Sequence, residues 1–485
     1  MTAVPARLAT RVPLWPLTAV AGLAIVSTAR VSPTLPVVIV LGIVAIAVAA
    51  FRPKAFVVVG LTVVALTILF ERLGGAAAAN ADEAVVLLSV VAFTTRRVVT
   101  EQRVVVPPGT VPLLLFLAAG LVSSALNAVP LTVVLPAALI AMKAALYGFA
   151  VAQLHWTHRD LRLLVRAGAV AGGIVIAAGL INLVAPAFWT GLTLGHAPSF
   201  VGPIPALNGA FQHPAAMSRF CALIAVAALA YCLVVRSAAP GLVVTVATTV
   251  LSILTFEVKS LIGLVAAFVV LAVRFARPAG AAAFLAVAPL VVFLLGPATV
   301  GLIAGTIQTY VLQDSARLRL TQGAVDIANA SVPFGAGFGR WGSSTAASDY
   351  SPLYLESGFE NVSGLSARSP DYLNDTQWPG IVGETGWLGA ALFALVLLLA
   401  LASLARRLGE RETTLEHWIR LAGVGWMLVL IVESIAAPVF TSTPSYPFLF
   451  LAVGIVASIR LDRRERVLPA PGPVRSTWRE VVADA

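Results

Sequence analysis

Residues 389–404 read GAALFALVLLLALASL, apolar on every face however the chain is wound. A strand of a membrane barrel alternates apolar with polar side chains, and this run does not alternate. In hydrocarbon such a backbone must satisfy its N–H and C=O groups inside a helix. Comparable runs recur along the 485-residue chain, which is 59% hydrophobic and 11% charged with a mean hydropathy of +0.95. About 20 such residues cross the ~30 Å hydrocarbon layer, so the sequence predicts an all-α, polytopic transmembrane helical bundle and excludes an ordinary soluble globule.

Twelve to fourteen spans are predicted. Drawn in full they are 14–30, 36–51, 55–70, 81–94, 111–127, 131–153, 162–186, 215–235, 240–256, 260–274, 281–304, 380–404, 419–438 and 446–460. The first follows Arg7 and Arg11, lacks a clean small-residue cleavage site, and reads as a retained signal anchor. The chain divides into N-terminal transmembrane helices (1–305), a long loop (306–378), C-terminal transmembrane helices (379–460) and a tail (461–485).

With both termini cytoplasmic and the spans alternating, 23 of the 32 Lys and Arg residues fall on the inner side, as the positive-inside rule requires. The net charge of +10 then reports topology and contact with anionic head groups of the lipid bilayer, and no nucleic-acid partner is expected. The expected location is the cell inner (cytoplasmic) membrane, multi-pass, with 306–378 and a shorter loop at 187–214 facing outward.

The 306–378 loop holds Arg317, Arg319, Arg340 and Arg368, seven acidic residues, four of the seven tyrosines and two of the nine tryptophans. Arg219 and Lys259 sit at outer helix ends, and Lys143 falls inside the sixth span. An unpaired cation in the bilayer costs several kcal/mol, so Lys143 needs a polar cavity or an anionic partner. Singly, each of these cations reads as well as a snorkelling or ion-paired residue; as a set on one side they suit an anionic substrate. Glu83, Glu257, Glu384 and Glu433 lie near outer span ends and no Asp or Glu falls mid-span, which argues against an ion-coupled carrier.

Cys221 and Cys232 lie about 16 Å apart along one predicted helix, too far for a disulfide. With no CxxC, HExxH or DxD, neither a metal site nor a cofactor is expected. His155, His158 and His417 fall beside cytoplasmic arginines, where a solvated or lipid-contacting role is expected, while His196 and His213 lie outward. Gly380, Gly383, Gly386 and Gly389 recur every third residue and open one helix side to close packing, and Gly335, Gly337 and Gly339 permit a tight turn. Trp341, Tyr350, Tyr354, Tyr372 and Trp378 either stack on sugar rings or anchor the loop, with anchoring favoured for Tyr372 and Trp378.

Five segments in order resemble the O-antigen ligase and polysaccharide polymerase superfamily. Gly209-Ala210-Phe211-Gln212-His213-Pro214 is similar to its G-x-F-x-x-P segment, and Lys259-Ser260-Leu261-Ile262-Gly263 stands where an Ser-Arg-Gly turn is common. Arg317-Leu318-Arg319-Leu320 resembles the start of the loop helix, and 333–339 (PFGAGFG) resembles the P-x-x-G-x-G-x-G turn. Glu384-Thr385-Gly386-Trp387-Leu388-Gly389 resembles E-x-G-x-x-G. Two departures stand out: Asp375-Thr376 occupies the place of a ligase His-Asn pair, similar to some polymerase-like members, and Lys259 replaces the usual arginine.

The resemblance implies a GT-C-like, metal-independent, inverting glycosyltransferase. Such an enzyme moves a glycan from a polyprenyl diphosphate carrier to an acceptor glycan or glycolipid, as a ligase or a polymerase does. Guanidinium groups bind phosphate oxygens in a forked geometry and stabilise a leaving diphosphate. Arg317 and Lys259 are therefore the first candidates, with Arg219 and Arg319 behind them and Glu384 and Lys143 as further substrate contacts. Asp375 reads as the base that accepts the acceptor hydroxyl's proton, as a turn or cap of the following helix, or as a group that orients the substrate, with His213 the alternative base. Arg317 also reads as an ordinary helix-surface charge. A flippase or polysaccharide transporter is the second functional class, and a structural assembly partner the third.

Overall fold

The computed structural model describes residues 35–67, 80–193, 197–235, 239–275, 315–410 and 412–467. The expected spans at 14–30 and 281–304, the loop residues 306–314, His196 and the tail from 468 onward lie outside them.

Twelve helices coincide with the remaining spans, some of them in part: α1 (Leu35–Phe51), α2 (Pro53–Ala65), α3 (Ala81–Glu101), α4 (Thr110–Leu126), α5 (Leu131–Ala152) and α6 (His158–Val184), then, after a short α7 (Pro186–Thr193), α8 (Pro214–Val234), α9 (Ala239–Ile253) and α10 (Val258–Phe275), and finally α14 (Gln377–Ala405), α15 (Thr414–Ser434) and α16 (Tyr446–Val467). Helices α5, α6, α8, α14 and α15 are long and apolar enough to cross a membrane by length and composition. The chain is a helical membrane protein. A two-stranded antiparallel hairpin, Phe200–Val201 with Ile204–Pro205, is the only sheet among the described residues. Helix α8 packs on α9, α10 and α15, α16 packs on α5, and α14 packs on α4.

One end of the bundle is a ring of ion pairs between basic connections. Lys54 meets Asp160, Arg97 meets Glu101, Arg420 meets Glu412 and Arg463 meets Glu416. His155, expected to be solvated or lipid-facing, is half exposed and also bridges Glu101 and Asp462. Helices α6 and α15 start here with capping boxes, Thr157 with Asp160 and Thr413 with Glu416, which satisfy otherwise orphaned N–H groups.

The other end carries the polar segment, which is folded where a loop was expected. Helix α11 (Ala316–Ala330) starts at Ser315, whose hydroxyl accepts from the Leu318 N–H, and buries Leu320, Ala324 and Ala328. That spacing of four is one helix face, and it lies against α14. Short helices α12 (Ser344–Ser348) and α13 (Pro352–Glu356) follow. Trp341, Tyr354 and Phe359, with ring centroids 5.2–5.7 Å apart, and Leu320, Leu365 and Leu373 form a second small core separate from the main one.

The polar segment is locked to α14. Ala336 N–H donates to Gly383 O at 2.8 Å, Gly337 N–H to Glu384 O at 2.9 Å, and Leu388 N–H to Pro333 O at 3.1 Å. Ser123 and Ser124 of α4 close the joint: the Ser123 hydroxyl donates to Gly335 O, and Ser124 Oγ accepts from Phe338 N–H. Helix α14 makes room by breaking at Gly386 (φ 68°, ψ −170°), where an added Cβ would lie 2.2 Å from the Phe334 carbonyl carbon. Beyond the break, residues 387–405 rise about 28 Å at ~1.5 Å per residue, near the ~30 Å hydrocarbon thickness. Gly386→Ala is expected to cost about 2–4 kcal/mol from the left-handed backbone and the collision together, read as a lower denaturant midpoint of the detergent-purified protein. An unchanged midpoint would show that the joint is not under this constraint.

Candidate functional site

Several charged side chains named above from sequence converge at the joint end. Arg317, in the first turn of α11, donates through Nε to Asp375 Oδ2 at 2.6 Å, and its second nitrogen donates to the same oxygen. The guanidinium also lies 4.4 Å from the Tyr372 ring centroid, so the cation is held from two sides. Asp375 is thus an ion-pair partner and not a cap; the N-cap of α14 is Thr376, without a side-chain bond.

On the neighbouring helices, Arg219 Nε donates to Glu433 Oε2 at 2.5 Å, with both groups buried. Lys259, near the start of α10, donates to Ala436 O at 2.9 Å and sits 4.0 Å from Glu257. Arg219, Glu433 and Arg317 all lie within electrostatic range of Lys259, so these cations share one neighbourhood. Arg319, on the same helix as Arg317, is exposed.

His213 is the N-cap of α8: Nδ1 accepts from the Ala215 N–H at 3.1 Å, and Glu257 lies 3.7 Å away. Loss of water around its inner edge lowers the His213 pKa, Glu257 opposes the shift, and Lys259 and Arg219 push it further down. The shift favours the neutral ring, whose outer face is open to solvent.

Two expected substrate contacts are engaged by the chain itself. The Glu384 carboxylate accepts from the Trp341 N–H at 3.3 Å and from the Gly339 and Arg340 N–H groups and Ser343, so it pins the turn from within. Lys143, buried, donates to Asp82 Oδ2 at 2.8 Å and Glu83 Oε1 at 2.6 Å and lies 4.8 Å from the Tyr446 ring centroid. The anionic partner it requires comes from α3. Trp341 and Tyr354 are buried in the small core and are not open to a sugar. Burial holds the Tyr354 phenol above its ordinary pKa, and its oxygen accepts from the Gly342 N–H. Trp378 is anchored, donating to Ser434 Oγ at 3.0 Å.

Between the turn and the start of α14 lies a recess of about 40 Å³ lined by Ser343, Thr345, Asn374, Thr376, Gln377 and Glu384 among others. It is large enough to hold water. Thr376 Oγ1, beside Asp375, is buried there without a hydrogen-bond partner. Glu433 Oε1 is likewise buried and unpartnered. Sequence reading left both outside the site. The signal for Glu433 was its place near a span end, where a buried carboxylate needs a cation. No group of His, Cys, Asp and Glu suited to a metal occurs among the described residues, and neither Cys221 nor Cys232 is in a disulfide.

No family model and no curated protein sequence matches this chain.

Removing one partner of a buried ion pair strands the other charge. Glu433→Leu alone is therefore expected to destabilise the detergent-purified protein by about 3–5 kcal/mol, and Arg219→Met with Glu433→Leu by much less. Additive losses in the unfolding titrations would mean that the two groups are not coupled.

Proposed function

We propose that this chain is a membrane glycosyltransferase acting at its polar end, which faces the exterior of the cytoplasmic membrane. It moves a glycan from a polyprenyl diphosphate carrier to an acceptor sugar, in the manner of an O-antigen ligase or a polysaccharide polymerase. The observation that carries this reading is the Arg317–Asp375 pair at one end of an apolar bundle, with Arg317 and Arg219 each within electrostatic range of Lys259.

The pair gives the chemistry an order. In the resting protein two Arg317 nitrogens donate to Asp375 Oδ2. An arriving diphosphate offers Arg317 a forked acceptor of higher charge, and exchange of the guanidinium onto it frees the carboxylate. The acceptor hydroxyl then attacks the anomeric carbon and its proton passes to Asp375. The bond from that carbon to the phosphate oxygen breaks, and the polyprenyl diphosphate leaves with its charge held by Arg317, Lys259 and Arg219. Thr376, with an unpaired buried hydroxyl, is placed to bond a sugar once the recess opens. His213 is the alternative base, and to take the proton at Nδ1 it must first release the Ala215 N–H that it caps.

Arg317→Ala and Asp375→Asn are each expected to lower transfer by about 10²–10³-fold while the protein still inserts and stays monodisperse. The assay is transfer from a synthetic polyprenyl diphosphate glycan by purified protein in detergent. Full activity in either variant would remove that residue from the site. The buried Asp82–Glu83–Lys143 cluster is the observation that favours a lipid-linked oligosaccharide flippase or a transporter. Transfer in detergent, where no gradient exists, separates the two, since a carrier yields no product there.

A further inference from the structure

The opposite, basic end holds a second recess, of about 470 Å³, formed by Arg406, Arg407 and Arg460 on one side and by the apolar residues of 104–108 with Ala457 and Leu461 on the other. That volume lies within the ~300–1,000 Å³ range of ligand sites. Arg460 is set in place by the chain, donating to Ser403 Oγ at 3.1 Å and Ser403 O at 3.0 Å. Arg406 and Arg407 are exposed, and no carboxylate lines the recess among the described residues. Glu101 pairs with Arg97 and Arg103, Asp462 with His155, Glu412 with Arg420 and Glu416 with Arg463, while Glu410, in the connection after Arg407, lies outside the lining. Three guanidinium groups thus line one recess, a positive surface that suits an anion.

The apolar wall narrows the choice of anion. Val104 and Val106 are exposed at 38% and 61%, directly beside the cations. Arg406 and Arg407 follow immediately on the apolar helix α14, at the level where hydrocarbon gives way to head groups. A free phosphate gains nothing from valines, whereas a lipid uses both halves. We propose that this recess binds an anionic phospholipid, its phosphate between Arg406, Arg407 and Arg460 and its acyl chain along Val104, Val106 and Leu461. The proposal does not depend on the glycan chemistry at the other end.

Native mass spectrometry of the full-length protein in detergent tests it, with phosphatidylglycerol, phosphatidylcholine and inorganic phosphate as separate probes. Phosphatidylglycerol is expected to bind at least tenfold more tightly than phosphatidylcholine. Arg406→Gln with Arg407→Gln, both exposed and outside the packing of the helices, should lower that affinity about tenfold and leave phosphatidylcholine unchanged. Adding Arg460→Gln should abolish the preference, but the double variant decides the matter if the triple variant fails to fold. Equal binding of the two lipids, an unchanged preference in the double variant, or phosphate binding as tightly as phosphatidylglycerol would each overturn the proposal.

Discussion

The seating of the 333–343 turn on the broken start of α14 is the constraint on which the rest of the polar end depends. Backbone N–H groups of Ala336 and Gly337 bond to carbonyls exposed where the helix is interrupted at Gly386, and the Glu384 carboxylate gathers further amides of the same turn. A buried carboxylate satisfied by several N–H groups fixes their relative positions, because leaving any of them unpaired costs about 1–3 kcal/mol. The turn in turn carries α11 on one side and the small aromatic core on the other. Arg317 and Asp375, 58 residues apart in sequence, meet because both ends of this segment are fixed to the same helix.

The charges inside the bundle follow one physical rule. Arg97, Arg219, Lys143 and Arg420 are all buried, and each is matched to a carboxylate from another part of the chain or the adjacent turn. Several kcal/mol of desolvation per ion make an unmatched one untenable, so the pairs act as registration points between helices. The two ends differ in what remains. At the basic end the ion pairs tie connections together and leave the Arg406–Arg460 recess lined by cations; at the polar end the cations stand beside an unpaired threonine hydroxyl.

Much of the helical architecture was legible from hydropathy, since runs such as 131–153 and 380–404 match α5 and α14 to within a few residues. Helix α16 runs on to Val467, past the expected boundary at 460, because the last charged turns are held by Arg460 and Arg463 contacts to the α14–α15 connection. The internal structure of 315–376 was not legible: its polar composition hid the Leu320, Ala324 and Ala328 stripe and the buried aromatics, whose partners are distant in sequence. The glycine triplets were read rightly as packing devices at Gly380, Gly383 and Gly386, which meet Gly342, Trp341 and Phe334, but Gly389 faces only its own helix. Glu384 and Lys143 were drawn toward a substrate because one sequence cannot show that backbone amides and Asp82 already occupy them.

Together these features describe a membrane bundle with two differently charged ends, of which the polar one is proposed to hold a lipid diphosphate near Arg317 and Lys259. The most direct measurement is photo-crosslinking of a diazirine-bearing polyprenyl diphosphate to the purified protein, followed by peptide mapping. The account predicts adducts within 208–219, 255–262, 315–320 and 371–378. Label confined to 404–410 and 457–463, with none at the polar end, would contradict it.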